Sequence, residues 1–475
     1  MEYPLSVQHS TQQTQAQQTQ PQSSAQPRQD ADFPGAGPLL PVVGAELQVP
    51  VVTGGTVRYA NLDYAASAPA LESVEAHLAE VLPYYASVHR GAGYASQVST
   101  AVLERARATV GRFVGARQGD VVVFTRNTTD ALNLLAGCLP TWGDVVFLDA
   151  EHHANLLPWQ RTAHRYVPVR ASLESTLASL ESALREQPAA LVAITGASNV
   201  TGEELPIDRV VAIAHRHGAR VVVDAAQLAP HRRIDLDATG VDYLAFSGHK
   251  LYAPYGTGVL VGRRDWLDRG TPYLAGGGAV RNVTLERTDW ACAPQRHEGG
   301  TPNVLGAAAL AAACDALAAL PEAALEVHEA ALRERLVHGL TELAGVQVHR
   351  IFDDAPSSIG VVTFTVDGYD PGLVAAYLSA EHGIGVRDGK FCAHPLLARL
   401  GLDDGAVRAS VGVGSRTEDV DRLVAAVATL IDAGPSWAYA NVDGRLQPSP
   451  DPRPLPAWAT GAGTVGAAPC TPEPS

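Results

Sequence analysis

The chain has 475 residues, 46% of them hydrophobic, with 35 Lys plus Arg against 50 Asp plus Glu and a formal net charge of −15. That is enough apolar material for a large core and more than one domain, while the acidic balance and the lack of any basic block exclude nucleic acid and anionic membranes as expected partners. No stretch has the length and apolarity of a signal peptide or a bilayer span, so a soluble, cytoplasmic protein is expected.

Residues 1–40 form a Gln/Thr/Pro-rich segment with ten glutamines in the first thirty positions. Such a segment cannot bury enough apolar surface to offset the entropy of ordering it, and a disordered tail is expected. Apolar runs then alternate with amphipathic patterns, in the order "VVVFT", "TTDALNLLAGCL", "DVVFLD", "LVAITG", "IDRVVAIAHRHG", "RVVVDAA", "DYLAFSG" and "GTGVLVG". The alternation predicts a mostly parallel sheet covered by helices, an α/β large domain over residues 41–320. A long amphipathic helix, "AALEVHEAALRERLVHGLTELA", leads into "GVVTFTV", "DPGLVAAYLSAEHG", "AVRASVGVG" and "TEDVDRLVAAVATLIDA". This order predicts a smaller α+β domain over 321–433. From 434 to 475 the chain is Pro-rich, with proline at every second position from 448 to 456, and a second disordered tail is expected.

The five cysteines (Cys138, Cys292, Cys314, Cys392 and Cys470) are odd in number and never form a CxxC pair, so neither a disulfide framework nor a metal site is indicated. The glycine clusters 91–96 and 274–280 lack the strand and the acidic residue that dinucleotide binding requires.

Three features carry chemistry. Lys250 in "FSGHKLYAPYGTG" stands where a strand runs out into a loop, the place where ligands collect in open α/β sheets. Thr128 and Thr129 follow a strand and open a helix, where unpaired N–H groups and the helix dipole favour an anion such as phosphate. Asp224 and Gln227 end another apolar strand, where a carboxylate needs a cationic partner. A Schiff-base lysine, an acid for a pyridinium nitrogen and an anion cradle together describe a site for pyridoxal 5'-phosphate.

From about 59 to 432 the chain resembles the fold-type I pyridoxal-phosphate enzymes of the class V aminotransferase group, and most of all the cysteine desulfurase and selenocysteine lyase type. The matching segments are "NLDYAASAP", "TRNTTDALNLL", "EHHANLLPWQ", "SNVTGEELPI", "VVDAAQLAPH", "FSGHKLYAPYGTGVL", "EGGTPN", "GVRDGKFCAHPLL" and "VRASVG", in order across the core. The resemblance implies that Lys250 holds the cofactor and moves the substrate's Cα proton, that Asp224 keeps the ring nitrogen protonated, and that Gln227 and Asn199 lie near the phenolic oxygen. It also implies that His152 stacks on the ring and that Thr129, Ser247 and His249 hold the phosphate, with Thr301 reaching the phosphate of a neighbouring subunit. Arg408 would clamp the amino-acid carboxylate, and Cys392, on a polar loop near Lys390 and His394, would accept sulfur. His89 and Arg90 match a segment near the substrate, but the residues after them depart from the desulfurase pattern. The expectation is a homodimer with shared active sites that removes sulfur from L-cysteine, leaving alanine and a persulfide for a sulfur-acceptor protein. A class V aminotransferase, C–S lyase or epimerase acting on a specialised amino acid is the alternative.

Overall fold

Residues 37–89 and 91–459 are described by a computed structural model. Seven strands build the central sheet: β1 (Val121–Thr125), β2 (Asp144–Leu148), β3 (His164–Val167), β4 (Ala189–Thr195), β5 (Arg220–Asp224), β6 (Tyr243–Ser247) and β7 (Gly258–Gly262), in the spatial order β1-β7-β6-β5-β4-β2-β3. Pairing from β6 through β5, β4 and β2 to β3 is parallel, and β7 runs antiparallel to both its neighbours. The expected mostly parallel sheet is therefore present. Period-two alternation sends successive side chains to opposite faces, and the core follows it. Val146, Val192, Val221, Val223, Leu244 and Phe246 pack in one apolar cluster, while Val145, Phe147, Leu191, Val222, Tyr243 and Leu260 pack in another. Both faces are covered, which is why these strands read as nearly unbroken apolar runs.

Helices α1 (Glu72–Val81), α2 (Tyr94–Phe113), α3 (Thr128–Ala136), α4 (Leu173–Glu186), α5 (Ile207–Arg216) and α6 (Val304–Ala318) accompany this sheet. Helix α7 (Ala324–Thr341) then leads to a second, antiparallel sheet made of β8 (Val346–Val348), β9 (Val361–Val366), β10 (Arg387–Gly389) and β11 (Ala406–Ser410), in the order β8-β9-β11-β10. Helices α8 (Pro371–His382) and α9 (Thr417–Ala433) pack with it around Leu336, Phe364, Tyr377 and Leu423.

The tails differ from expectation where they are described. Leu39 and Leu40 donate backbone hydrogen bonds to the Val413 carbonyl, so the folded chain begins before residue 41; residues 1–36 lie outside the described residues. The segment expected to be a disordered tail from 434 contains a hairpin, β12 (Tyr439–Val442) and β13 (Arg445–Pro448). Its turn residues Asp443 and Gly444 both have positive φ (51° and 79°), the geometry that Asp-Gly favours in two-residue hairpin turns. Prolines do not prevent it, because Pro448 stands at the end of its strand, where a missing N–H costs least.

One carboxylate ties α7 to the segment that follows β5 and to the entry of β9. Buried Glu329 accepts a hydrogen bond from His231 at 2.9 Å, faces Arg232 at 3.3 Å, and takes the Gly360 N–H just before β9. Removing a buried partner of this kind leaves the others uncompensated. Glu329→Ala should lower stability by on the order of 3–5 kcal/mol, read as a lower urea midpoint, and Glu329→Gln, which keeps an acceptor for Gly360, should cost less.

Candidate active site

The carboxyl ends of β4, β5 and β6 lie side by side, with Thr195 opposite Asp224 and Asp224 opposite Ala245. A cavity of about 990 Å³ opens there, and its lining includes Thr128, Thr129, His152, Asn199, Asp224, Gln227, Ser247, His249, Lys250, Cys392 and Arg408. Eleven positions singled out in the sequence thus meet in one place.

Lys250 reaches the cavity through a turn made possible by Gly248. A Cβ at that glycine would stand 2.8 Å from the Thr257 carbonyl oxygen and 2.9 Å from that of Ala253, too close for any side chain. Burial lowers the Lys250 amine to about 8, with Asp224 acting in the opposite direction. Asp224 is itself pushed up by burial, relieved by the Ala226 N–H at 2.9 Å and by the charge of Lys250. The two charges sense each other yet form no salt bridge, so a space separates them.

At the start of α3, Asn127 is the capping residue and accepts the Asp130 N–H at 2.9 Å, which leaves the threonines for other work. Thr128 donates its N–H to Ser247 Oγ at 2.7 Å, and the two hydroxyls meet at 2.7 Å. Thr129 is exposed to the cavity beside them. His152 Nδ1 accepts the Ala154 N–H at 3.0 Å, which leaves the proton of the neutral ring on Nε2. Burial foremost, and then Lys250, lowers His152 to about 3, and burial with Lys250 lowers His249 to about 4. Both rings are therefore neutral at physiological pH.

Arg408 lies in the buried strand β11 and is held by the Asn199 carbonyl at 2.8 Å and by Asp63 at 3.2 Å. Burial lowers its pKa, while Asp63 opposes the shift. Cys392 and the preceding Phe391 both have left-handed backbone (φ 53° and 52°), a conformation that costs a residue with a side chain unless its surroundings enforce it. Here the Phe391 carbonyl accepts from Asn199 at 2.7 Å, and the Cys392 carbonyl accepts the His153 N–H at 2.9 Å. Cys392 lies within electrostatic range of both Lys250 and Arg408.

Two expected positions stand apart. His89 is bonded to Glu104 at 2.9 Å, and neither it nor exposed Thr301 lines the cavity; Arg90 lies outside the described residues. Asp63, which anchors Arg408, was not singled out, although it sits within the quoted "NLDYAASAP". Asn303 of "GTPN" was also missed: it caps α6 and donates to the Tyr255 carbonyl at 2.7 Å, tying that motif to the loop after Lys250.

The donor set fits an aromatic cofactor that carries a phosphate. Hydroxyls and a helix N-terminus gather at one end and an acid stands at the other with a lysine apart from it, while buried Gln227 Oε1 and Arg408 Nε lack hydrogen-bond partners.

The arrangement defines a lysine-centred α/β enzyme site, and comparison with known proteins agrees. Residues 60–423 match the family model described as aminotransferase class-V, and the chain belongs to that family. A probable cysteine desulfurase of Vibrio cholerae is 35% identical over 386 residues, which cover 78% of this chain and 94% of that one. A probable cysteine desulfurase 2 of Mycobacterium leprae is 39% identical over 366 residues, covering 73% and 85%. The apo structure of the cysteine desulfurase from Thermococcus onnurineus NA1 superposes with a TM-score of 0.72 at 35% identity, covering 78% and 94%.

In cofactor-free protein the reactivity of Lys250 towards an amine-selective arylating reagent should titrate with a midpoint near 8, far below the ordinary 10.5. Because the Asp224 charge raises that value, Asp224→Asn should move the midpoint lower. Peptide mapping of the labelled lysine as a function of pH checks both shifts.

Proposed function

We propose that the protein is a pyridoxal 5'-phosphate-dependent cysteine desulfurase, a cytoplasmic homodimer that takes sulfur from L-cysteine, leaves alanine, and passes the sulfur from a Cys392 persulfide to an acceptor. The observation that carries this reading is the convergence of Lys250, Asp224, Arg408 and Cys392 on one cavity in a class V chain. Thr128, Thr129, Ser247 and His249 would hold the phosphate, His152 would lie against the ring, and Asn199 and Gln227 would flank its phenolic oxygen. When bound, the cofactor supplies an electron sink adjacent to Cα.

The chain's own groups do the rest. Arg408, already oriented by Asp63 and Asn199, binds the substrate carboxylate through its planar fork of donors. Lys250, lowered by burial, has a sizeable neutral fraction near neutral pH and can take the Cα proton. Asp224 keeps the ring nitrogen protonated, a role that its buried, lysine-facing carboxylate suits. The Cys392 thiolate attacks the substrate sulfur: an S–S bond forms, the Cβ–S bond breaks, and the electron pair left on Cβ takes up a proton as alanine is released. The epimerase, lyase and aminotransferase alternatives have no need of a cysteine at this position.

Cys392→Ser should keep the cofactor's visible absorbance and its response to cysteine, while alanine formation falls by roughly two orders of magnitude or more, since a hydroxyl is a far poorer nucleophile than a thiolate. Alanine, sulfide and keto acid measured separately decide the matter. Alanine release at the parent rate, or keto acid without persulfide, would sink the reading.

Thr301 is exposed on its own chain yet belongs to a motif shared with the family, which supports a role across a subunit boundary. Lys250→Ala and Thr301→Ala chains mixed as a verified heterodimer should regain activity above that of either parent, because one site then holds both intact residues. No recovery counts against shared sites.

A further inference from the structure

The hairpin β12–β13 lies beside the active-site cavity, with Tyr439 against the apolar core of the second sheet and one carboxylate gathering the hydrogen bonds at its base. Glu381, near the end of α8, accepts hydrogen bonds from the Ser436 N–H at 3.0 Å, the Trp437 N–H at 3.2 Å and the Tyr439 hydroxyl at 2.9 Å, and from the Ser436 hydroxyl as well. Trp437 closes the base by donating its indole N–H to the Pro450 carbonyl at 2.8 Å. At the other end the turn is held by Asn441, which accepts the Gly444 N–H at 2.9 Å. The base is fixed to α8 and the turn is closed within the hairpin itself, so the tip is presented in one arrangement.

That tip lines the cavity itself. Asn441, Gly444, Arg445 and Leu446 line the same space as Lys250 and Cys392. The matched family region ends at residue 423, before the hairpin begins. The Arg445 side chain is exposed and makes no hydrogen bond or salt bridge with any described residue, and its charge is felt by Asp388 of β10, the strand that leads to Cys392. The acids that line this outer part are Asp370, Asp388 and Asp404. Asp370 is engaged as the α8 cap, and burial raises Asp388 above the usual carboxylate range. Arg387 and Lys390 add two cations. With a net charge of −15 the whole molecule repels anions, so any preference for an anion at this mouth must come from these nearby side chains.

We propose that Arg445 is a specificity-determining residue for the second half of the reaction, favouring as sulfur acceptor a small thiol that carries a carboxylate. This rests on the reading that Cys392 carries the persulfide. The acceptor thiolate attacks the outer sulfur of Cys392–S–SH. A new S–S bond forms on the acceptor, the Cys392 S–S bond breaks with its electron pair leaving on the Cys392 thiolate, and the proton stays on the transferred sulfur. No outside oxidant or reductant is required. The guanidinium fork suits a carboxylate held close to the attacking thiolate, and its exposed position makes the contribution modest.

The test loads full-length, cofactor-bound protein with one equivalent of cysteine, verifies the persulfide on Cys392 by alkylation and mass analysis, and then measures its discharge by 3-mercaptopropionate and by 2-mercaptoethanol. The readout is the ratio of second-order rate constants for the anionic and the neutral thiol, corrected for thiolate fraction. Arg445→Ala should lower the ratio about threefold and Arg445→Glu about tenfold, with added salt shrinking the difference. Glu381→Ala, which loosens the base of the hairpin while leaving Arg445 intact, should lower it in the same direction. An unchanged ratio in Arg445→Glu or in Glu381→Ala overturns the proposal while leaving the desulfurase reading in place. Absence of persulfide on Cys392 in the parent protein removes both.

Discussion

The structure turns on opposite charges kept near one another without touching. Lys250 and Asp224 are removed from water, each shifted towards its neutral form, and neither closes on the other. An ion pair would be the cheaper arrangement for the polypeptide alone. What prevents it is strand register: Asp224 ends β5 and points from a rigid sheet, while Lys250 is set beyond the end of neighbouring β6 by a turn that only glycine fits at 248. A group that inserts a cationic ring atom beside Asp224 and a carbonyl carbon beside Lys250 relieves both burdens at once. Such a ligand stabilises the folded state by its binding free energy, so the loaded protein is more stable than the empty one.

The second sheet extends the same logic. Arg408 sits in the middle of a strand whose five residues are all buried, and it is tolerated because Asp63 and the Asn199 carbonyl stand on either side. Asn199 holds Arg408 through its backbone carbonyl and the Phe391 carbonyl through its side-chain amide, so one residue orients both Arg408 and the loop that bears Cys392. Gln227 donates to the Ala65 carbonyl at 2.7 Å, and the Ala65 N–H donates to Ser410 at 2.9 Å, which joins β5 to β11 through the "DYAAS" loop. Cys392 and Arg408 are thus positioned by residues that line the same cavity.

The sequence made some of this legible and hid the rest for physical reasons. Strands β1, β2, β4, β5, β6 and β7 are buried on both faces and announce themselves as apolar runs, and the residues at their ends fall on the cavity because strand ends define its rim. Edge strand β3, "HRYV", is half solvated and gives no such signal. Asp63 meets Arg408, 345 residues away, and Glu329 meets His231, 98 residues away, and no local pattern reports such meetings. The hairpin was hidden by composition: proline density around residues 448–456 argues for disorder, and it outweighed the "NVDGR" turn signal directly upstream. His89 and Thr301 came from resemblance alone, and a single chain does not bring them to the cavity.

The composition of the chain and the chemistry of its site pull in opposite directions, and the fold reconciles them locally. An acidic protein whose proposed ligands are a phosphate and an amino-acid carboxylate would have to concentrate positive potential where its average is negative. It does so in layers. Buried Thr128 and Ser247, at and beside the start of α3, offer polar groups that carry no formal charge and so are held in a buried setting at little cost. Equally buried is Arg408, a full charge that burial penalises and Asp63 partly relieves. Outermost are Arg387, Lys390 and Arg445, which keep their hydration and need no buried partner. Desolvation orders this series, since a charge becomes costlier with depth while a preoriented dipole does not. The hairpin follows from the same gradient: a solvated cation can be added at the rim by appending chain beyond the core, without altering a single buried contact of the inner layers.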